Sequence, residues 1–125
     1  MQDIFDVNWV IVLVSAVAGF VVGSIWYAPS VFGDGWRKGM GAPVVRRGLA
    51  PLLAEQMVAC ILLSWVIVLA AGVSTAFAIL VGIAAAVTVK SGGLFNGKTM
   101  FAVMVEGGYV LAQTAVTLIV VSLFS

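Results

Sequence analysis

The chain has 125 residues, 63% of them hydrophobic and 9% charged, with a mean hydropathy of +1.23. Soluble domains are about 45–50% apolar and about 25% charged, so this composition belongs to a membrane protein. Six Lys or Arg stand against five Asp or Glu, with no His and a single Cys, Cys60. That balance gives no electrostatic case for nucleic acid, and it excludes a Ser-His-Asp or Cys-His triad, His-ligated zinc or haem, and an internal disulfide.

Residues 7–33, 56–89 and 107–125 carry no charged side chain. A spanning helix needs about 20 apolar residues, which predicts a first span over 8–27. As one helix, residues 56–89 would be about 51 Å long against a hydrocarbon core of about 30 Å. The segment must therefore fold back. Gly72 can close one helix and Ser74 or Thr75 can cap the next, which places spans at 50–71 and 75–95. A fourth span over 99–124 contains Glu106. The expected fold is all-α, an integral membrane four-helix bundle in one domain (1–125) with a loop at 28–49. Continuous Val, Ala, Leu and Ile runs do not alternate as the strands of a membrane β-barrel do. The start, Met1-Gln2-Asp3-Ile4-Phe5-Asp6, is acidic where a signal peptide is basic, so the first span is expected to be a mature helix.

Short loops rich in Lys and Arg stay in the cytoplasm. Arg37, Lys38, Arg46 and Arg47 lie between the first two spans and Lys98 between the last two, whereas the N-terminal tail holds only Asp3 and Asp6. Both termini are therefore expected outside. Trp9 and Trp26-Tyr27 lie about 26 Å apart along a helix, the spacing of the two headgroup belts that Trp and Tyr favour. They read as interface anchors, as does Trp36 beside Arg37 and Lys38. Pro29 stops the first helix, and the segment Val31 to Lys38 is expected flat on the cytoplasmic surface. Gly39, Gly41 and Pro43 make the remainder of the loop irregular.

Within the first span Ser15, Gly19 and Gly23 recur at every fourth position and form a helix-packing face; Gly82 and Ala86 form a weaker one. The pattern leaves open whether the partner is internal or a second subunit. Glu55, Lys90 and Glu106 are the three charges inside the spans, where ionisable groups need a partner or a task. Counted from the turn near Gly97, Lys90 and Glu106 lie at similar depth, with Glu55 slightly shallower. The Gly92-Gly93 and Gly107-Gly108 pairs would let the backbones approach there. Two readings stay open: a Lys90–Glu106 ion pair that sets the hairpin register, and a proton- or cation-binding carboxylate at Glu106. Gln56, Ser64, Gln113 and Thr114 or Thr117 read as interhelical hydrogen-bonding groups. Trp65, Met57, Met100 and Met104 read as packing, and Cys60 as a small buried hydrophobe.

The segments Asn8-Trp9, Gly23, Trp26-Tyr27-Ala28-Pro29, Phe32-Gly33 and Trp36, with Phe95-Asn96-Gly97-Lys98 and Glu106-Gly107-Gly108-Tyr109-Val110, form a pattern over the whole chain. In this the sequence resembles the DUF1761 family of small bacterial integral membrane proteins, whose function is unknown. Departures from the family pattern are Ala28 for Ser, Asn96 for Glu, Glu106 for Asn and Val110 for His. The resemblance implies a multi-pass protein of the bacterial cytoplasmic (inner) membrane and no particular chemistry.

Two functions are carried forward. The first is a non-enzymatic helix-packing or accessory subunit of a homo-oligomer or larger membrane complex, in contact with the lipid bilayer and not with nucleic acid. The second is a small ion- or proton-coupled transporter or channel using Glu106. No catalytic residue, metal site or cofactor is expected. Tags at the two termini, probed by protease in sealed inside-out vesicles, should both be protected; cleavage of either would contradict the orientation.

Overall fold

The computed structural model describes residues 4–39 and 49–124. Asp3, Gly41, Pro43, Arg46 and Arg47, on which part of the loop and orientation reading rests, lie outside the described residues. Among the described residues are helices α1 (Trp9–Trp26), α2 (Asp34–Lys38), α3 (Leu49–Val73), α4 (Thr75–Phe95) and α5 (Met100–Phe124), one turn of π-helix at Pro29–Gly33, and no strand. Four of them, α1, α3, α4 and α5, are long and apolar enough to cross a membrane. The protein is an all-helical membrane bundle.

Local chemistry sets the helix ends. The Asn8 side chain accepts from the Val10 N–H at 3.0 Å and opens α1, satisfying one of the donors that a helix start leaves unpaired. Between α3 and α4 the chain reverses over one extended residue, Ser74, whose hydroxyl accepts from the Phe77 N–H at 3.0 Å. Of the two caps expected there, Ser74 performs the task, and α3 runs on to Val73. Between α4 and α5, Gly97 takes φ +82°, a left-handed conformation that glycine adopts without steric penalty. The Thr99 hydroxyl caps α5 through Ala102 N–H at 3.2 Å. Its own N–H donates to the Gly39 carbonyl at 2.8 Å and so ties the end of α2 to the start of α5.

Helix α5 touches α1, α3, α4 and α2, while α1 and α4 stand at opposite corners of the bundle. Between helices already in lipid, apolar burial drives little association, and close packing has to come from small residues. Ser15, Gly19 and Gly23 are all buried on α1. A Cβ on Gly19 would stand 2.9 Å from Gln113 Cγ, and one on Gly23 would stand 2.8 Å from Tyr109 Oη. Gly19 and Gly23 are thus covered by α5 of the same chain. Gly82 and Ala86 are buried on the α4 side of α5 in the same way. Of the expected glycine pairs, Gly93 meets Val103 and Gly107 meets Ala86, whereas Gly92 faces open space. Met100 and Met104, expected to pack, are instead exposed on the outer face of α5.

At the end of the bundle that carries the α3–α4 turn, Ile67, Ala70 and Ala78 form an apolar cluster with Leu63, Val81 and Leu118. Beside it the Trp65 indole N–H donates to the Ile4 carbonyl at 2.7 Å, and its ring lies 5.1 Å from Trp9 and 5.3 Å from Phe5. Trp9 therefore has an intramolecular partner on α3.

Gly23→Val would drive a branched side chain into the Tyr109 ring and should lower stability by about 1–3 kcal/mol. Gly92→Ala meets nothing and should be neutral or stabilising by up to about 1 kcal/mol through helix propensity. Thermal unfolding in detergent compares the two; equal losses would contradict the packing assigned to α1.

Candidate functional site

The ion pair inside the bundle joins Glu106 to Lys98. The Lys98 ammonium donates to both carboxylate oxygens, at 2.9 Å to Oε1 and 2.8 Å to Oε2. The two side chains are only 19% and 15% exposed. This corrects the expected Lys90–Glu106 pair, and the reason lies in side-chain direction. The Cα–Cβ bond of a helical residue tilts towards the helix N-terminus. Glu106 on α5 therefore leans towards the α4–α5 turn, where Lys98 sits. Lys90 on the antiparallel α4 leans the opposite way, so equal Cα depth does not bring the two charges together. Among the described residues Lys90 pairs with no carboxylate. Glu55 lies exposed on α3 and does not join the group either. The three intramembrane charges thus supply one member of the site, and its counter-charge comes from a lysine that the sequence assigned to loop topology.

The aromatic segment after α1 folds against the same level of α5. The Trp26 indole N–H donates to the Val105 carbonyl at 2.9 Å, and its ring lies 4.9 Å from Phe32, tilted by 49°. The Tyr27 ring meets Trp36 edge-on at 4.9 Å and Tyr109 at 5.6 Å. Gly33 is held beneath the Tyr27 carbonyl by the π-turn, in which Gly33 N–H donates to Ala28 O at 3.0 Å. Trp26, Tyr27 and Trp36, read from sequence as belt anchors, thus have intramolecular contacts that shape the site. Instead of lying as an independent surface segment, α2 packs on the first turns of α5, with Gly35 against Phe101. The Trp36 indole nitrogen is buried without a hydrogen-bond partner.

Deeper in, the Tyr109 hydroxyl is a junction of three helices. It donates to the Gly19 carbonyl at 2.8 Å, accepts from Gln56 Nε2 at 3.0 Å and lies 3.4 Å from Cys60 Sγ. One helical turn further, Gln113 Nε2 donates to the Cys60 carbonyl at 3.0 Å and reaches Ser64 Oγ at 3.4 Å. The same four-residue step continues to Ser15, Ser64 and Thr117, each fully buried, with Ser15 Oγ unpaired. Three rows therefore run side by side: Gly23, Gly19 and Ser15 on α1; Gln56, Cys60 and Ser64 on α3; Tyr109, Gln113 and Thr117 on α5. The expected interhelical roles of Gln56, Ser64 and Gln113 are those seen. Thr114 and Thr117 instead donate to carbonyls of their own helix, Val110 and Gln113.

Where these rows reach the loop end of the bundle, a partly open cavity of about 500 Å³ lies between α1 and α3. Its wall includes Phe20 and Ser24 of α1, the rings of Tyr27 and Trp36, Leu53 and Gln56 of α3, and Glu106 of α5. Glu106 lines this cavity; Lys98 does not. Among the described residues no three His, Cys, Asp or Glu side chains come together as a metal site. Sequence reasoning missed Lys98 and the Tyr109 hydroxyl. The matching four-residue steps of Ser15-Gly19-Gly23, Gln56-Cys60-Ser64 and Tyr109-Gln113-Thr117 are the signal that could have found the junction. A comparison with protein-family models, curated proteins and solved structures found no match to this chain.

Proposed function

We propose that this chain is a non-enzymatic transport protein of the bacterial cytoplasmic membrane, built like the DUF1761 proteins it resembles, and that Glu106 is its cation- or proton-binding group. The observation that carries the proposal is the place of Glu106: a mostly buried carboxylate in the wall of a cavity of about 500 Å³. Ionisable groups within spans are costly and line solute or proton pathways when they face a cavity. Beyond it the polar rows from Tyr109 to Ser15 are buried between the helices. Past them, Ile11, Val12, Ile67 and Val120 are buried and apolar. A partly open site backed by buried polar rows and then by apolar packing suits a carrier that opens to one side at a time.

With both termini outside, the end of the bundle that holds Glu106, Lys98 and α2 faces the cytoplasm. For the other reading, an accessory subunit of a homo-oligomer or larger complex, Gly19 and Gly23 are less suited as the contact face, because Gln113 and Tyr109 of α5 lie against them. Self-association would then use the outer, lipid-facing helix surfaces.

Reconstituted in liposomes containing a pH-sensitive dye, the protein should carry a cation- or proton-dependent flux. Glu106→Gln should reduce that flux to the protein-free level while helix content and elution volume stay unchanged. An undiminished flux in the variant would refute the role of Glu106.

A further inference from the structure

We infer that the Glu106 site takes a small primary ammonium ion, and that the Lys98 side chain is a tethered occupant which the solute displaces. This deepens the reading above and rests on Glu106 being the working group. The Lys98 ammonium already shows what the carboxylate accepts: one primary ammonium that hydrogen-bonds both oxygens, at 2.9 and 2.8 Å. Lys98 belongs to the turn and not to a helix interior. Its backbone N–H donates to the Gly93 carbonyl at 3.1 Å, and its stem passes over Gly93, where Cδ would lie 3.3 Å from an added Cβ. A lysine at such a position can swing its ammonium to water or headgroups while its stem stays on apolar surface.

The wall of the cavity selects the same chemistry. Among the described residues Glu106 is the one charged side chain in that wall. Tyr27 and Trp36 also line it, and aromatic faces attract ammonium groups. A hard metal cation favours several charged oxygen ligands, and among the described residues the cavity wall holds one carboxylate beside the neutral oxygens of Ser24, Tyr27 and Gln56. The volume of about 500 Å³ leaves room for a short apolar tail beside Phe20 and Leu53. Exchange of one ammonium for the other keeps the carboxylate paired throughout, so no step leaves a bare buried charge.

The test uses the full chain in detergent micelles, with ethylammonium and propylammonium as probes, followed by tryptophan fluorescence and calorimetry. Wild type should bind saturably, Lys98→Met should bind about tenfold more tightly, and Glu106→Gln should not bind. Lys98→Gln, which keeps a polar side chain of shorter reach, serves if the Met variant loses its helical fold, and it should also tighten binding. Equal affinity in wild type and the Lys98 variants, with loss in Glu106→Gln, would overturn the tethered occupant and leave the Glu106 reading standing. Binding that persists in Glu106→Gln would overturn both. Absence of binding in wild type and Lys98 variants alike would overturn the ammonium class, and the liposome flux then decides the Glu106 reading separately.

Discussion

A carboxylate two helical turns inside a lipid-spanning helix must have a counter-charge, and much of the loop end of this bundle is arranged around that requirement. Glu106 leans back towards the N-terminus of α5, and Lys98 comes from the turn to meet it. For Lys98 to stand there, the chain has to reverse at Gly97 with positive φ, and the Thr99 N–H has to hold the end of α2. The π-turn and α2 are thereby drawn under the bundle, which brings Tyr27 and Trp36 to the cavity wall. Charge neutralisation, turn geometry and cavity shape are consequences of one placement.

The second requirement is close approach of three helices. Tyr109 and Gln113 are large polar side chains on α5, and they fit only because α1 presents Gly23 and Gly19 opposite them. Once seated, their donors satisfy the Gly19 and Cys60 carbonyls and reach Ser64, while the Tyr109 hydroxyl accepts from Gln56 on α3. In hydrocarbon a polar group without a partner is expensive, so a set of mutually satisfied groups specifies one register for the three helices. The buried, unpaired Ser15 hydroxyl continues this row, and the apolar side chains beyond it close the far end.

The architecture was largely legible in the sequence because it follows from where charges are absent. Spans of the right number, the fold-back at Ser74 and the buried row of Ser15, Gly19 and Gly23 all follow from hydropathy, caps and spacing. The site was legible only in part. Glu106 stands out as an ionisable group in lipid, but depth along the helices does not identify its partner, because depth does not say which way a side chain points. Lys98 looked like a topology signal because it lies in a turn. Trp26, Tyr27 and Trp36 looked like belt anchors, since the amphipathic ring that favours a headgroup also suits an interhelical contact. Tyr109 carried no signal by itself; its role emerges only when three helices are aligned in register.

The pairing of Glu106 with Lys98 underlies the cavity, the proposed activity and its solute. Treatment of the protein in membranes with a lipid-permeant carbodiimide activates buried carboxylates for attack by an adjacent amine. Proteolysis and fragment sequencing should then find an amide joining Glu106 to Lys98. An amide joining Glu106 to Lys90 would contradict the arrangement.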